Sequence, residues 1–400
     1  MNVSMSLSLD NTKNAFAYKT NAELRRANFL FSIIQNSFIV SLATKCTPFL
    51  MKSGLPINGL IRSTIFNQFV GGETLEESAR VTKQLGSYGV QVILDYGVEA
   101  KEGEENFDNV TEKIIEAVEF AATQKNIPFV SVKLTGLASM SLLEKLNEAP
   151  RLRSGIHDSE ADDAAWERVK ERMYAICDVA NEKGIGILLD AEETWIQDPI
   201  DRIAIELMAV YNKEKVVVYN TYQLYRHDRF HFLKISHKIA QEGKFLLGAK
   251  LVRGAYMEKE RLRAQQNGYT SPIQSIKELT DQDFNAAAAY CIENRDSMAL
   301  ILASHNEQSN LLIVDLIAKN MLSNNDAHVH FSQLYGMSDP ITFNMATEGY
   351  NVSKYLPFGP IGDVIPYLMR RAEENSSVNG QTNRELLFIR KELARRKSKK

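Results

Sequence analysis

The sequence predicts an α/β protein built on a (β/α)8 TIM-type barrel. Short runs rich in Val, Ile and Leu alternate with amphipathic helical segments along most of the 400 residues. Most of these runs are almost continuously apolar, as expected for parallel strands that are covered on both faces. Eight strand–helix units match such a barrel in number and size. A doubly wound sheet is the alternative, but no GxGxxG motif follows the first strand.

The chain before the first strand has a different pattern, and residues 1–70 are predicted to form an N-terminal helical region. Within it, Phe29–Ala43 is apolar but short, and Gln35 and Asn36 interrupt it. A buried amphipathic helix is therefore favoured over a membrane span. The first nineteen residues lack an apolar signal segment and carry few basic residues, which favours a cytoplasmic over a mitochondrial location.

The barrel is predicted to occupy residues 71–380. Its strands are expected at Val90–Leu94, Phe129–Val132, Ile185–Leu189, Val216–Tyr219, Phe245–Leu251, Met298–Ala303, Val329–Phe331 and Val352–Tyr355. Helices are expected between them, including Glu112–Gln124, Asp201–Tyr211, Phe230–Glu242 and Asp283–Glu293. The gap at 138–183, after the second strand, is too long for a plain crossover and predicts a helical insertion. Residues 381–400 are predicted to form a C-terminal helix with a basic tail.

Charge and cysteine content narrow the class of protein. The formal net charge is −3, so the chain has no global basic field that would indicate nucleic acid. Its three cysteines are widely spaced and form neither a CxxC pattern nor a disulfide framework. A reducing compartment follows from this cysteine use.

Candidate functional residues collect at the predicted carboxyl ends of the strands, where the active sites of such barrels lie. These ends carry Asp95, Lys133, Asp190, Gln223, Lys250, Ser304 with His305, Gln333 and Tyr355. Polar residues follow apolar runs in any soluble protein, so one example is uninformative. Potential ligands at all eight ends indicate a site.

Two of these positions, and Arg253 nearby in sequence, allow more than one interpretation. Lys133 could form a Schiff base, as in aldolase-type barrels, or act as a fixed cation for an anionic substrate. Asp190 opens an acidic cluster, DAEETW, which could also be a helix start. Arg253 precedes Gly254 and could contact a phosphate or a flavin. His328 and His330 alternate onto one strand face, but no third ligand matches them, so no metal site is predicted.

The segment Tyr355–Asn375 predicts a helix with two distinct faces. Asp363 is a candidate N-cap, and Pro366 would then fall in the first turn. An apolar stripe contains Ile365, Leu368 and Ala372, and the other face carries Tyr367, Arg370, Arg371 and Glu374. Adjacent guanidinium groups could bind a small carboxylate, although an exposed salt-bridged helix has the same pattern.

Seven motifs, in order along the chain, resemble the proline dehydrogenase (proline oxidase) family. They are SVKLTGL, LLDAEETW, NTYQLY, AKLVRGAY, ASHNE, QLYGM and YLPFGP…YLMRRAEENSS. The resemblance covers roughly Gly71–Ser377 and is to the monofunctional branch. It implies a distorted (β/α)8 barrel that holds FAD and oxidises L-proline to Δ1-pyrroline-5-carboxylate, the first step of proline catabolism to glutamate. Hydride would pass to flavin N5.

The resemblance also implies a role for each matching residue. The substrate carboxylate would be held by Lys133, Arg370 and Arg371, and the ring enclosed by Tyr355, Tyr367 and Leu334. Asp190 and Glu374 would orient the cations. FAD contacts are implied for Ala191, Gln223, Arg253, Gly254, Ala255, Ser304 and His305. Lys250, assigned with Asp190 to the catalytic set, stands where many bacterial members have Arg.

Partners follow from the same resemblance. Electrons would pass to a membrane quinone through peripheral membrane contact, and a separate pyrroline-5-carboxylate dehydrogenase would act on the product. Nucleic acid is not an expected partner. Three other functions stay open: oxidation of 4-hydroxyproline, which Tyr355 would oppose sterically; Schiff-base aldol chemistry at Lys133; and a binding barrel without turnover.

Overall fold

Eight parallel strands close into a barrel in which they follow one another in chain order. In this computed structural model, the described residues are 7–36, 38–41, 58–97, 102–148, 160–377 and 381–398. The strands are β1 Gln91–Tyr96, β2 Phe129–Val132, β3 Gly186–Leu189, β4 Val218–Gln223, β5 Leu247–Val252, β6 Met298–Ala303, β7 Val329–Leu334 and β8 Val352–Phe358. The predicted barrel is confirmed, and the doubly wound alternative is wrong.

Helices lie between the strands and at both ends of the described chain. Those before β2 span Thr12–Ala15, Asn21–Ile34, Asn58–Ile61, Asn67–Phe69, Leu75–Gly86 and Glu104–Thr123. Those between β2 and β6 span Met140–Glu148, Glu160–Lys183, Gln197–Tyr211, Arg229–Glu242, Met257–Asn267 and Lys277–Glu293. The remaining helices span Glu307–Lys319, Asp339–Thr347, Ile361–Ser377 and Gln381–Lys397. Side-chain caps begin several of them, because the first backbone N–H groups of a helix need acceptors.

The predicted ends of several elements were wrong, although their positions along the chain were right. β1 continues through Asp95 to Tyr96, and β8 continues through Tyr355 to Phe358. The strand ladder uses backbone groups, so it extends into polar positions that an apolar-run criterion excludes. Three residues expected after the ends of strands therefore lie inside them: Asp95, Gln223 and Gln333. The helix between β1 and β2 also begins at Glu104, whereas its start was predicted at Glu112.

The stretch between β2 and β3 contains two helices among its described residues. Met140–Glu148 is short, and Glu160–Lys183 is long, with Glu160 and two aspartates in its first turn. Acidic side chains there interact favourably with the positive end of the helix dipole. The limits predicted for this insertion and for the two terminal regions stay predictions.

The segment Phe29–Ala43 lies only partly within the described residues, which stop at residue 41 and omit residue 37. Its start belongs to the helix Asn21–Ile34, where Thr20 and Glu23 form a reciprocal capping box. No helix in the described ranges is both long enough and apolar enough to cross a membrane.

The chain divides into two compact units. One unit comprises Met1–Glu99 and Ser332–Lys400, and the other comprises Ala100–Phe331. In the first, β1 pairs with β8, and a core cluster rich in aromatic rings joins residues from both segments. This cluster includes Phe16, Leu24, Phe31, Phe66, Phe69, Tyr367, Leu368, Leu386 and Phe388. In the second, β2 to β6 pair in parallel, and their Val, Ile and Leu side chains are buried except for the half-buried Val252.

Part of the predicted basic tail is structural rather than merely solvated. The last helix continues to Lys397, and the carboxylate of the fully buried Glu392 pairs with Arg395 at 2.6 Å and Arg396 at 2.7 Å. Arg396 also donates from Nη2 to the carbonyl oxygen of Phe16 at 2.7 Å. These contacts fix the end of the last helix to the N-terminal segment of the same unit.

Candidate active site

Two lysines and one aspartate meet at the carboxyl ends of β2, β3 and β5. The Nζ of Lys250 lies 2.5 Å from Oδ1 of Asp190, and the Nζ of Lys133 lies 4.0 Å from Oδ2. All three side chains are largely shielded, with exposed fractions of 6, 13 and 15% for Lys250, Asp190 and Lys133. Two ammonium groups face a single carboxylate, so the cluster has an excess positive charge and suits an anionic ligand.

Backbone pairing places these three side chains. Asp190 directly follows β3, and its N–H donates to the carbonyl oxygen of Val132 at 2.9 Å, which continues the β2–β3 pairing. Lys250 lies inside β5, in register with Thr221 of β4 and Ile301 of β6. The structure thus brings together three of the predicted site residues. Their catalytic and substrate-binding roles stay predictions.

The acidic loop after Asp190 carries a carboxylate whose importance the sequence did not indicate. Both oxygens of Glu192 bind Thr135: Oε1 accepts its backbone N–H at 3.1 Å, and Oε2 accepts its hydroxyl at 2.5 Å. The carbonyl oxygen of Glu192 accepts from Nε2 of Gln223 at 2.7 Å. Burial raises the pKa of Glu192 to about 7, although the hydrogen bonds from Thr135 act to lower it.

A second buried carboxylate fixes the end of the same loop. Glu260 accepts the backbone N–H and the hydroxyl of Thr194, both at 2.7 Å. Burial raises the pKa of Glu260 against these same hydrogen bonds. The DAEETW motif was considered as a helix start, but the helix that follows begins only at Gln197. The signal that could have identified the loop is the cluster of three acidic residues, followed by Thr194, directly after a fully apolar strand.

Arg253 organises a separate polar cluster after β5. Its Nε contacts Asp281 at 2.7 Å, and its Nη1 donates to the hydroxyl of Ser304 at 2.8 Å. The guanidinium also lies 4.3 Å from the ring centroid of Phe284. Burial lowers the pKa of Arg253, while Asp281 acts in the opposite direction. Two residues predicted to contact a cofactor, Arg253 and Ser304, are therefore hydrogen-bonded neighbours, and half-buried His305 follows directly after Ser304.

The backbone at Gly254 and Ala255 is exposed, whereas Ala191 is half-buried and Gln223 is buried. Gly254 has φ of 135°, and a Cβ there would lie 2.5 Å from atoms of the Tyr225 ring. Only glycine tolerates both conditions. The glycine is therefore required by packing against Tyr225, in addition to any close approach of a ligand.

In the other unit, the β7–β8 region carries two of the residues predicted to enclose the substrate ring. Tyr355 is buried in β8, and its carbonyl oxygen accepts from the backbone N–H of Tyr335 at 2.9 Å. Leu334, the last residue of β7, packs against the aromatic core cluster of this unit. The pairing of Tyr335 with Tyr355 brings the ends of β7 and β8 together.

The helix Ile361–Ser377 corrects one prediction about its start. It begins two residues before Asp363, so Asp363 lies in the first turn and is not the N-cap, and Pro366 lies inside the helix. A proline removes one intrahelical hydrogen bond but is tolerated near a helix start, where some N–H groups lack intrahelical partners.

The predicted polar face of this helix is not an exposed salt-bridged surface. Arg371 is buried, and its guanidinium lies 5.2 Å from the ring centroid of buried Tyr367. Arg370 is half-buried, while the side chain of Glu374 lies outside the described residues. Burial of a guanidinium is costly unless charge-assisted contacts compensate for it, which makes this face unusual for a solvated helix.

The turn after β7 is held by charged groups that the sequence did not indicate. Lys354, fully buried in β8 beside Tyr355, donates to the carbonyl oxygen of Met337 and lies 3.0 Å from Oδ1 of Asp339. The backbone N–H of Ser338 donates to the carboxylate of Glu385. A lysine in an apolar strand carries no local signal of its partners.

The two histidines considered as metal ligands have other contacts. The ring of His330 lies 5.0 Å from that of Phe129, and burial lowers its pKa to about 3. Nδ1 of His328 is bonded to the carbonyl oxygen of Arg295 at 2.7 Å. Within the part of the chain that the structure describes, no group of three or more His, Cys, Asp or Glu side chains could hold a metal ion.

Comparison with known proteins decides the family. The family model described as proline dehydrogenase matches residues 78–384. A relative from Dictyostelium discoideum, proline dehydrogenase 1, mitochondrial, is 32% identical over 98% of this chain and 75% of its own length. The chain belongs to the proline dehydrogenase family. The resemblance of the seven motifs is thereby confirmed.

Two further likenesses extend this assignment. The hydroxyproline dehydrogenase of Xenopus laevis is 31% identical over 84% of this chain and 78% of its own length. Proline utilization A from Bdellovibrio bacteriovorus has a similar fold, with a TM-score of 0.72 and 23% identity over 92% of this chain. The chain described here spans 38% of the length of that proline utilization A protein.

Proposed function

We propose that this protein oxidises L-proline to Δ1-pyrroline-5-carboxylate with bound FAD. Membership of the proline dehydrogenase family supports the reaction. The observation that carries the proposal is the cluster of Lys133, Asp190 and Lys250, because its excess positive charge suits an amino-acid carboxylate. Membership of this family favours proline oxidation over the two alternatives, an aldolase and an inert binding barrel.

The residues of the second unit fit a flavin dinucleotide by their chemistry. Arg253 provides a cation beside the exposed backbone of Gly254 and Ala255, a combination suited to a diphosphate. Ser304 and His305 follow β6, while Gln223 and Ala191 lie at the ends of β4 and β3. When bound, FAD would supply the hydride acceptor at N5 of its ring.

The proposed roles of the remaining site residues are binding and orientation. Lys133 is proposed to hold the substrate carboxylate, and Arg370 and Arg371 are proposed for the same role. The ring-enclosing role is proposed for Leu334, Tyr355 and Tyr367. Asp190 would hold Lys133 and Lys250 in place, and Glu374 would act in the same way on the arginines. Fixed orientation of this kind lowers the entropic part of the barrier.

The visible spectrum of the purified protein tests the proposal directly. Flavin bands should be present, and L-proline added without oxygen should bleach them, since the substrate is the electron donor. Retention of oxidised flavin after addition of L-proline would refute proline oxidation. If the protein binds no flavin even after FAD is supplied, borohydride trapping with substrate should be used to look for a Schiff base on Lys133.

A second candidate substrate is 4-hydroxyproline, and the likeness to the Xenopus laevis enzyme favours it. Tyr355 opposes it, since a buried phenol in the ring-enclosing position would crowd the carbon that bears the hydroxyl. Parallel anaerobic titrations with the two amino acids distinguish the candidates. Faster bleaching by 4-hydroxyproline would reverse the proposed preference.

The proposed electron acceptor is a quinone at a membrane surface. The proposed downstream enzyme is a separate pyrroline-5-carboxylate dehydrogenase. A soluble quinone should reoxidise the proline-reduced protein faster than oxygen does; equal rates would contradict the acceptor. The Dictyostelium discoideum relative is named as mitochondrial, which supports the mitochondrial alternative over the cytoplasmic expectation.

A further inference from the structure

Glu192 connects the ends of three neighbouring strands through its carboxylate and its backbone carbonyl group. It binds Thr135, two residues after Lys133 at the end of β2, through both its backbone N–H and its hydroxyl. Glu192 itself lies two residues after Asp190 at the end of β3. Its carbonyl oxygen accepts from Gln223, the last residue of β4. Glu192 is thus linked to three of the predicted site positions, Lys133, Asp190 and Gln223.

The contacts of Glu192 restrict the turn that carries Lys133. Thr135 is the central residue of the turn Leu134–Gly136, and the N–H of Gly136 donates to the carbonyl oxygen of Lys133 at 3.1 Å. The two bonds to Glu192 therefore fix the turn at its centre. The Lys133 ammonium lies 4.0 Å from Asp190, a separation that a small shift of this turn would change.

Glu192 is itself rigidly held. Its exposed fraction is 4%, and its backbone N–H donates to Oε1 of Gln197 at 2.9 Å. Nε2 of Gln197 donates to Oδ1 of Asp201, which also contacts Arg229 at 2.8 Å. Buried and hydrogen-bonded networks of this kind specify one arrangement of the groups attached to them.

We propose that Glu192 is a positioning residue that sets the place of Lys133 relative to Asp190 and thereby the affinity for the substrate carboxylate. It acts through Thr135 and does not contact the substrate. This inference rests on the proposed function, because it takes a carboxylate as the ligand of the lysine cluster. Residues that hold ligands in place commonly affect binding strongly without touching the bound molecule.

Substitution of Glu192 should therefore separate KM from kcat. E192A should raise the KM for L-proline about tenfold, the loss expected for one charge-assisted hydrogen bond, with kcat changed by less than about threefold. E192Q should restore most of the affinity, because its amide can accept from the Thr135 N–H and donate to the hydroxyl. T135V, which removes only the hydroxyl donor, should have an intermediate KM.

The matched control is E193Q. Glu193 is the adjacent carboxylate in the same loop, but it pairs with the exposed Lys259. Its KM should equal that of the wild type. A KM unchanged in E192A would overturn the proposal, as would equal losses in E192A, E192Q and E193Q. If E192A does not fold, T135V decides: a raised KM supports the proposal, and an unchanged KM overturns it.

A binding measurement separates this inference from the proposed reaction. Cyclopentanecarboxylate has the ring size and carboxylate of proline but no nitrogen to oxidise. Its titration against the flavin-loaded protein, followed by the change in the visible spectrum, should give a Kd about tenfold weaker in E192A than in the wild type. If L-proline fails to bleach the wild type, the proposed function is refuted while this Kd ratio still decides the role of Glu192: equal Kd values would exclude it.

Discussion

Asp339 is expected to be among the positions most sensitive to substitution, because its carboxylate compensates two buried ammonium groups. Lys354 lies 3.0 Å and Lys19 3.1 Å from its oxygens, and the hydroxyl of Tyr18 donates to it at 2.8 Å. Although burial acts in the opposite direction, Lys19 and Lys354 hold the pKa of Asp339 below its usual value. The Asp339→Ala variant would remove from Lys354, whose exposed fraction is 0%, the carboxylate that lies 3.0 Å away.

The expected loss can be estimated from this geometry. Removing one partner of a buried ion pair costs about 3–5 kcal/mol, since the remaining charge stays desolvated. Urea unfolding of the purified protein, followed by circular dichroism, measures the change in the free energy of unfolding. The double substitution Asp339→Leu with Lys354→Met should recover a large part of the loss, because it removes both charges and preserves apolar volume.

The matched control is an exposed ion pair of similar length. Lys113 lies 2.7 Å from Glu116, and each side chain is 50% exposed. Lys113→Ala should cost less than about 1 kcal/mol, because solvent screens such pairs. A loss for Asp339→Ala as small as that of Lys113→Ala would refute the reasoning, and so would a double variant less stable than Asp339→Ala alone.

Three further predictions follow. Burial and the nearby Asp339 raise the pKa of Glu385 from 4.5 to about 7, so the native state holds this proton more tightly than the unfolded chain does. The stability of the wild type relative to Glu385→Gln should fall by about 3 kcal/mol as pH rises through this interval, measured by urea unfolding; a constant difference would contradict the shift. Tyr355→Ser should raise kcat/KM for 4-hydroxyproline relative to L-proline, and an unchanged ratio would exclude the steric account. Arg371→Ala should raise the KM for L-proline about 100-fold, since a buried guanidinium–carboxylate contact is worth roughly 3 kcal/mol, whereas exposed Arg390→Ala should leave it unchanged.

The barrel was predictable because its signal is local. The run Met298–Ala303 is continuous in apolar residues, Phe129–Val132 is interrupted only by Ser131, and the structure forms strands with the same bounds. Polar residues after such runs predicted which side chains would collect at the carboxyl ends of the strands, and Lys133 and Asp190 do lie together there. The extensions of β1 through Asp95 and of β7 through Gln333 were missed, because a ladder of backbone hydrogen bonds leaves no mark in side-chain hydrophobicity.

Buried charges were not predictable, because their partners are distant in sequence. Lys354 contacts Asp339, which in turn contacts Lys19, more than 300 residues away. Within Val352–Phe358, a lysine would ordinarily be interpreted as facing solvent, whereas this one is fully buried. Composition and spacing describe which residues are present, while the pairing that permits burial depends on the fold.

Glu192 and Glu385 illustrate one structural solution that is found in both units. Each is a buried carboxylate that accepts a backbone N–H from a turn: Thr135 in the turn after β2, and Ser338 in the turn after β7. Each of these turns follows a predicted substrate residue, Lys133 or Leu334. A backbone donor fixes the turn whatever side chains it carries, so the carboxylate constrains the site without belonging to a recognisable motif. In this arrangement burial raises the pKa of both acids, which is a measurable consequence. The arrangement also makes each turn sensitive to the loss of one side chain that is distant in sequence.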